Sequence, residues 1–207
     1  MSYIGSKPAN KPVVASDLDP TVITGQTALA TSPASTDEFL ISDAGVLKRL
    51  DASLIGGANT PAFMAYLDAD VTISDAVSTL VPFSHEAFDT DNAFNTTNKR
   101  FTVPTGKAGK YFIHYNVTGS TDPSRLQYVG VFLKKNGTQI AANYTDTRNA
   151  GFGLQFSVGQ QLHLDLAADD YLEVFVIVDP EGSGSYTAKI EAHNIHTTVF
   201  GGHKLIT

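Results

Sequence analysis

The sequence predicts an all-β protein: an antiparallel jelly-roll sandwich preceded by an extended N-terminal arm and a small hairpin module. Three observations predict it. Apolar and polar residues alternate with period two over several stretches after residue 61, as half-buried strands require. Turn residues separate these stretches, most clearly Asn136-Gly137, and Asn-Gly between apolar runs is the strongest short-range hairpin signal. No amphipathic stretch of helical period occurs after residue 61.

Composition agrees and removes several function classes. The chain has 207 residues, 42% hydrophobic and 17% charged, which suits a folded domain with an ordinary core. Its net charge of −7 argues against a nucleic-acid partner, because binding to phosphates needs clustered Lys and Arg. There is no cysteine. Disulfide frameworks, thiolate metal sites and cysteine nucleophiles are therefore excluded. No apolar run reaches the roughly 18 residues a membrane helix needs, so no membrane insertion is expected. Met1 to Pro8 hold no apolar h-region, so no secretory signal is expected. The sequons at Asn95, Asn116, Asn136 and Asn143 then read as polar turn chemistry.

Residues 1–35 are rich in Ser, Thr, Ala, Pro and Val and cannot bury enough surface to fold alone. Apolar residues nevertheless recur, including Tyr3, Ile4, Val13, Val14, Val22 and Ile23. The segment reads as an arm that orders on a partner, with those six as anchoring candidates. Residues 36–57 form the second module. Two apolar runs flank Asp43-Ala44-Gly45, which predicts a hairpin with a three-residue loop and Gly in the left-handed position. A helix over 46–54 competes. An isolated hairpin is marginal in water, so this one wants copies of itself or a neighbour. Gly56-Gly57 closes the module as a hinge.

Residues 58–207 form the head. Tyr111, Ile113, Tyr115 and Val117 share one face of a strand; Phe152, Leu154, Phe156 and Val158 share another. Leu162, Leu164 and Leu166 form a third set, Leu172, Val174, Val176 and Val178 a fourth, and Tyr186, Ala188 and Ile190 a fifth. Pro104, Pro123 and Pro180 fall between strands, where a missing N–H is harmless. Phe175 and Ile177 make the fourth strand apolar on both faces. An antiparallel sandwich normally keeps one wet face. The outer face is therefore expected to be covered, by another subunit or by a loop of the same chain.

The head resembles a known family. Pro61-Ala62-Phe63-Met64-Ala65 is similar to its opening strand, and Lys99-Arg100-Phe101-Thr102-Val103-Pro104 followed by Gly109-Lys110-Tyr111-Phe112 is the most specific match. Asn136-Gly137, 158–164 and Phe200-Gly201-Gly202 come after it in the family's order. These segments resemble the globular head of complement C1q, a tumour-necrosis-factor-like jelly roll. Gln160 stands where the family has Asp, His203-Lys204 replaces an aromatic-apolar pair, and no Gly-X-Y repeat of a collagen stalk is present. With the two-faced strand, the resemblance implies a homotrimer with Phe112, His114, Phe175 and Ile177 at its interface. Family members can hold calcium near the head's loops. The residues for it here would be Asp169, Asp170, Asp179 and Glu181, with solvated acidic loops as the plainer reading; no cofactor is expected.

The first 57 residues resemble something else. Tyr3-Ile4-Gly5-Ser6-Lys7-Pro8 and Asp17-Leu18-Asp19-Pro20-Thr21-Val22-Ile23 are similar to the N-terminal arms of tailed-bacteriophage fibre and spike proteins. Asp37-Glu38-Phe39-Leu40-Ile41-Ser42-Asp43 with Leu47-Lys48-Arg49-Leu50-Asp51 resembles a short fibre module of marine phages. The resemblance implies a structural virion protein, made in the host cytoplasm and carried on the tail or capsid surface. Its arm would dock on other virion proteins, and its head would bind a host-surface glycan or protein. The alternative is a capsid decoration protein that stabilises the shell.

Catalytic patterns are sparse. His163 and Asp165 lie two apart and share a strand face, as a base and its orienter would, or as the polar side of a strand. His193 and His196 are three apart, which in a strand sets them on opposite faces. Asp89, Asp91 and Asn92 begin like a calcium loop, but Ala93 breaks the pattern. Glycan hydrolysis needs two carboxylates facing each other within about 10 Å, and no local motif demands that here. A non-enzymatic protein is expected, with a glycan-degrading enzyme as the remote alternative.

Overall fold

In the computed structural model, the described residues are 25, 27, 33–34, 36–55, 59–122, 126–148, 154–181, 187–192 and 197–205. The anchoring candidates Tyr3, Ile4, Val13, Val14, Val22 and Ile23 lie outside them, as do His193 and His196. The chain divides into two units after Ile55.

The first unit contains one hairpin, β1 (Glu38–Asp43) and β2 (Val46–Asp51). Asp43 pairs with Val46, so the loop holds two residues rather than the expected three. Ala44 and Gly45 have φ of 50° and 80°, the pair of positive values a type I′ turn demands. Its twist matches that of the strands, and Ser42 and Asp43 extend the ladder instead of joining the loop. The competing helix over 46–54 gives way to β2 and a single 3-10 turn, Ala52–Leu54. Leu40 is 76% exposed, so this hairpin has no core of its own.

The head is an all-β jelly-roll sandwich, and every strand pairing among the described residues is antiparallel. Its strands are β3 (Ala62–Tyr66), β4 (Val71–Ile73), β5 (Thr79–Leu80), β6 (His85–Asp89), β7 (Phe94–Asn95), β8 (Arg100–Thr102) and β9 (Gly109–Asp122). They continue as β10 (Leu126–Lys135), β11 (Thr138–Asp146), β12 (Gln155–Leu166), β13 (Tyr171–Pro180), β14 (Thr187–Ile190) and β15 (Val199–Lys204). The first sheet runs β11-β10-β13-β8-β7, with β5 also on β13. The second is organised by β9. One edge of β9 carries β12 along Gly109–Ser120. The other carries β15, then β3 and β6, while β14 and β4 extend its far end.

Period-two alternation decides which side chains fill the space between the sheets. Tyr111, Ile113, Tyr115 and Val117 of β9 are buried, as are Leu172, Val174, Val176 and Val178 of β13. Phe63 stacks on Phe101 at 4.5 Å and meets Phe200 edge-on at 5.0 Å. Burying each such ring contributes about 1.5–3 kcal/mol. The segments expected as two strands around Gly159 form one strand, β12. Gln160 interrupts the apolar pattern but points inward, where its Oε1 accepts a hydrogen bond of 3.1 Å from the Tyr115 hydroxyl. A satisfied amide lets the strand continue. Asn136 and Gly137, with φ of 52° and 79°, make the expected turn between β10 and β11.

Candidate functional site

The outward residues of the second sheet line up by register. In the first row, His163 of β12, Phe112 of β9, His203 of β15 and Ala62 of β3 lie side by side. In the second come Gln161, His114, Gly201, Met64 and Phe88. In the third come Gly159, Asn116, Val199, Tyr66 and His85. A solvated sheet face would be polar. This one carries Phe112, Met64, Tyr66 and Val199 half-buried and Phe88 at 50% exposure.

His114 stands at the centre. Its imidazole covers Gly201, where a Cβ would come within 2.6 Å of His114 Cε1. Its Nδ1 is buried and has no hydrogen-bond partner among the described residues. Burial, reinforced by the neighbouring His203, lowers its pKa below the ordinary 6.5. A shallow hollow of about 570 Å³ opens on one side, lined by His114, Asn116, Gly159 and Gln161 among others. On the other side a smaller, more apolar one is lined by Ala62, Phe88, Gly202 and His203 among others. Asn116 fixes the third row by donating from Nδ2 to Thr197 O at 2.7 Å and Ser157 Oγ at 3.0 Å.

Comparison with known proteins decides the family. The C1q domain description matches residues 62–205. The chain belongs to the C1q domain family. Among solved structures, the globular domain of zebrafish complement 1qA protein is similar at 14% identity and a TM-score of 0.46. The match covers 71% of this chain and 98% of that one. No curated protein matches the chain by sequence.

On this C1q head, the four expected interface residues occupy two surfaces. Phe112 and His114 belong to the face just described. Phe175 and Ile177 point outward from the first sheet, where Phe175 pairs with Phe132 and Leu80, and Ile177 with Gly130. Partial cover for this second pair comes from the same sheet. Lys134 Nζ lies 3.6 Å above the Phe175 ring. The Phe132 and Tyr144 rings and the Tyr128 hydroxyl lean over Gly130, each 2.9 Å from where a Cβ would stand.

The four calcium candidates are not brought together. Asp169 and Asp170 precede β13 and Asp179 and Glu181 lie at its other end, ten residues of strand away, about 30 Å at a strand's rise. The Asp170 carboxylate is already occupied by Lys135 Nζ at 2.6 Å, Asn136 Nδ2 at 2.7 Å and the Ala167 N–H at 2.7 Å. These partners, Lys135 first, hold its pKa down. No cluster of three or more His, Asp or Glu placed to hold a metal exists among the described residues. Asp89 caps its own loop by accepting from the N–H groups of Asp91 and Phe94.

The catalytic candidates form no working set either. Asp165 pairs with Lys110 at 3.3 Å, while His163 faces the Phe112 ring at 5.5 Å. Ser84, Asp68 and His85 are adjacent, yet both Ser84 Oγ and His85 Nδ1 turn to Asp68. The serine hydroxyl gives its hydrogen bond to the carboxylate, so in this arrangement the imidazole is not its base.

Sequence reading missed Met64, Phe88, Gly201 and His203 as members of the face. The signal for Met64 was present: Ala62, Met64 and Tyr66 alternate with buried Phe63 and Ala65. Phe88 was hidden by the register shift between Met64 and Ala65 where β3 meets β6, because a bulge breaks simple counting.

Proposed function

We propose that this chain is the trimeric fibre or spike of a phage virion. Its C1q head associates with two copies of itself through the outer face of the second sheet and contacts the host surface. Residues 1–35 dock it on other virion proteins. The observation that carries the assembly is the half-buried stripe of Phe112, Met64, Tyr66 and Val199 on a sheet face that would otherwise be wet. C1q domains are typically homotrimeric, and a rotational assembly buries like surfaces in every copy.

The virion role is supported by the resemblance of residues 1–57 to fibre arms and modules. The exposed apolar residues of the β1–β2 hairpin suit a shaft in which copies of the hairpin pack on one another. The acidic surface disfavours nucleic acid. Among the described residues the head shows no activated nucleophile, and the proposed role is attachment to a host-surface glycan or protein.

Two measurements test it. Light scattering on the full chain should give about three times the protomer mass of 22.1 kDa; a stable protomer at that mass would sink the assembly. Electron microscopy of particles labelled for this chain should mark the tail in few copies. Label spread densely over the capsid would make it a decoration protein instead, and unlabelled particles would remove the virion role.

A further inference from the structure

Three histidines surround one phenylalanine at the centre of the face that the proposed trimer covers, and the role assigned to them rests on that trimer. The Phe112 ring lies 5.9 Å from His114, 5.5 Å from His163 and 5.6 Å from His203. His163 and His203 are its direct cross-strand neighbours, and His114 is the next outward residue of β9. We propose that this cluster is a proton-operated release: subunits associate with all three imidazoles neutral and separate when the imidazoles charge.

The charges nearest the cluster offset each other. Lys110 on β9 pairs with Asp165 on β12 at 3.3 Å, and Gln161 of β12 is neutral. On β15 the neighbours are Gly201 and Lys204, and on β3 they are Ala62 and Met64. On the edge strand β6, Phe88 comes first, with Glu86 and His85 beyond it and His85 on Asp68. No salt bridge reaches His114, His163 or His203 among the described residues. One imidazolium would be attracted to the face of Phe112, but three around the same ring repel one another.

Linkage sets the sign. In the single chain, burial already disfavours charging His114. A second copy over this face would bury His203, half-buried in the single chain, and His163, exposed in it, and burial disfavours a charged imidazole. The assembled state then binds fewer protons than the separated subunits once pH falls into the range where histidines charge. Association is therefore complete above that range and weakens as pH falls through it. Each imidazole kept neutral weakens it by about tenfold per pH unit. An acidic compartment or layer at the host surface would thus open the head.

Light scattering and near-UV circular dichroism of the full chain between pH 8 and pH 5 test this directly. The wild type should be trimeric at pH 8 and lose the trimer between about pH 6.5 and pH 5, with its near-UV spectrum retained. The variant carrying His114→Gln, His163→Gln and His203→Gln should stay trimeric throughout. A wild type that remains trimeric at pH 5 overturns the proposal, and so does a variant that dissociates in parallel with it. A wild type that is already monomeric at pH 8 overturns the assembly reading, and the release with it. Should the triple variant fail to fold, His163→Gln alone, at an exposed position, should move the dissociation midpoint to lower pH; an unchanged midpoint counts against the release.

Discussion

At the scale of single residues, neighbours on β9 have opposite fates. Ile113 is fully buried between the sheets, while Phe112 points outward and is half-buried. An aspartate at 113 would force an unpaired carboxylate into an apolar interior, which costs several kcal/mol against a total stability of about 5–15 kcal/mol. Ile113→Asp should therefore yield no cooperative thermal transition. Phe112→Asp should keep one and lower the particle mass to that of the protomer. A folded Ile113→Asp protein, or a trimeric Phe112→Asp protein, would show that the faces are assigned wrongly, since a shift of one residue exchanges inside for outside. The faces were legible in the sequence because alternation along 111–117 is strict. His114 as the centre of a site was less so. Its position depends on Gly201 across the ladder, and single-strand patterns do not report which strands become neighbours.

At the scale of elements, the sequence was most readable where a turn has its own chemistry. Asn136-Gly137 announces the β10–β11 hairpin, and the structure gives Asn136 a second role. Its Oδ1 accepts from the Tyr171 N–H at 2.9 Å while its Nδ2 donates to Asp170 at 2.7 Å. One side chain thus ties the hairpin to the start of β13. Replacing it with alanine removes both bonds and puts a less tolerant residue at φ of 52°. Asn136→Ala should cost about 2 kcal/mol, read as a lower urea midpoint with unchanged slope. An effect within about 0.5 kcal/mol, as for an ordinary surface change, would mean the tie carries no weight. Elsewhere counting alone misled. Asp43-Ala44-Gly45 reads as a three-residue loop with Gly in the left-handed position, yet Ala44 takes positive φ as well. The strand at 155–166 looked broken because Gln160 reads as polar, and only the Tyr115 hydroxyl across the ladder explains an inward amide.

At the scale of the whole molecule, the head carries its own core. The buried cluster runs from Phe63 to Phe200 and holds aromatic stacks that join both sheets. A domain of this size with a continuous core is expected to fold without staples. Residues 1–57 have the opposite composition, with few large apolar groups in the arm and exposed ones in the β1–β2 hairpin. Under the proposed virion role they would order on a partner and contribute little to the stability of the head. Deleting residues 1–57 should therefore leave the thermal midpoint of the head within a few degrees of the full chain's, because a change of 1 kcal/mol moves it by only about 2–8 °C in domains of up to 250 residues. The same deletion should abolish incorporation when the truncated chain is supplied to assembling particles lacking the full-length form. Truncated protein found on purified virions would mean the head itself docks. A head that no longer melts cooperatively would place part of its stability in the arm.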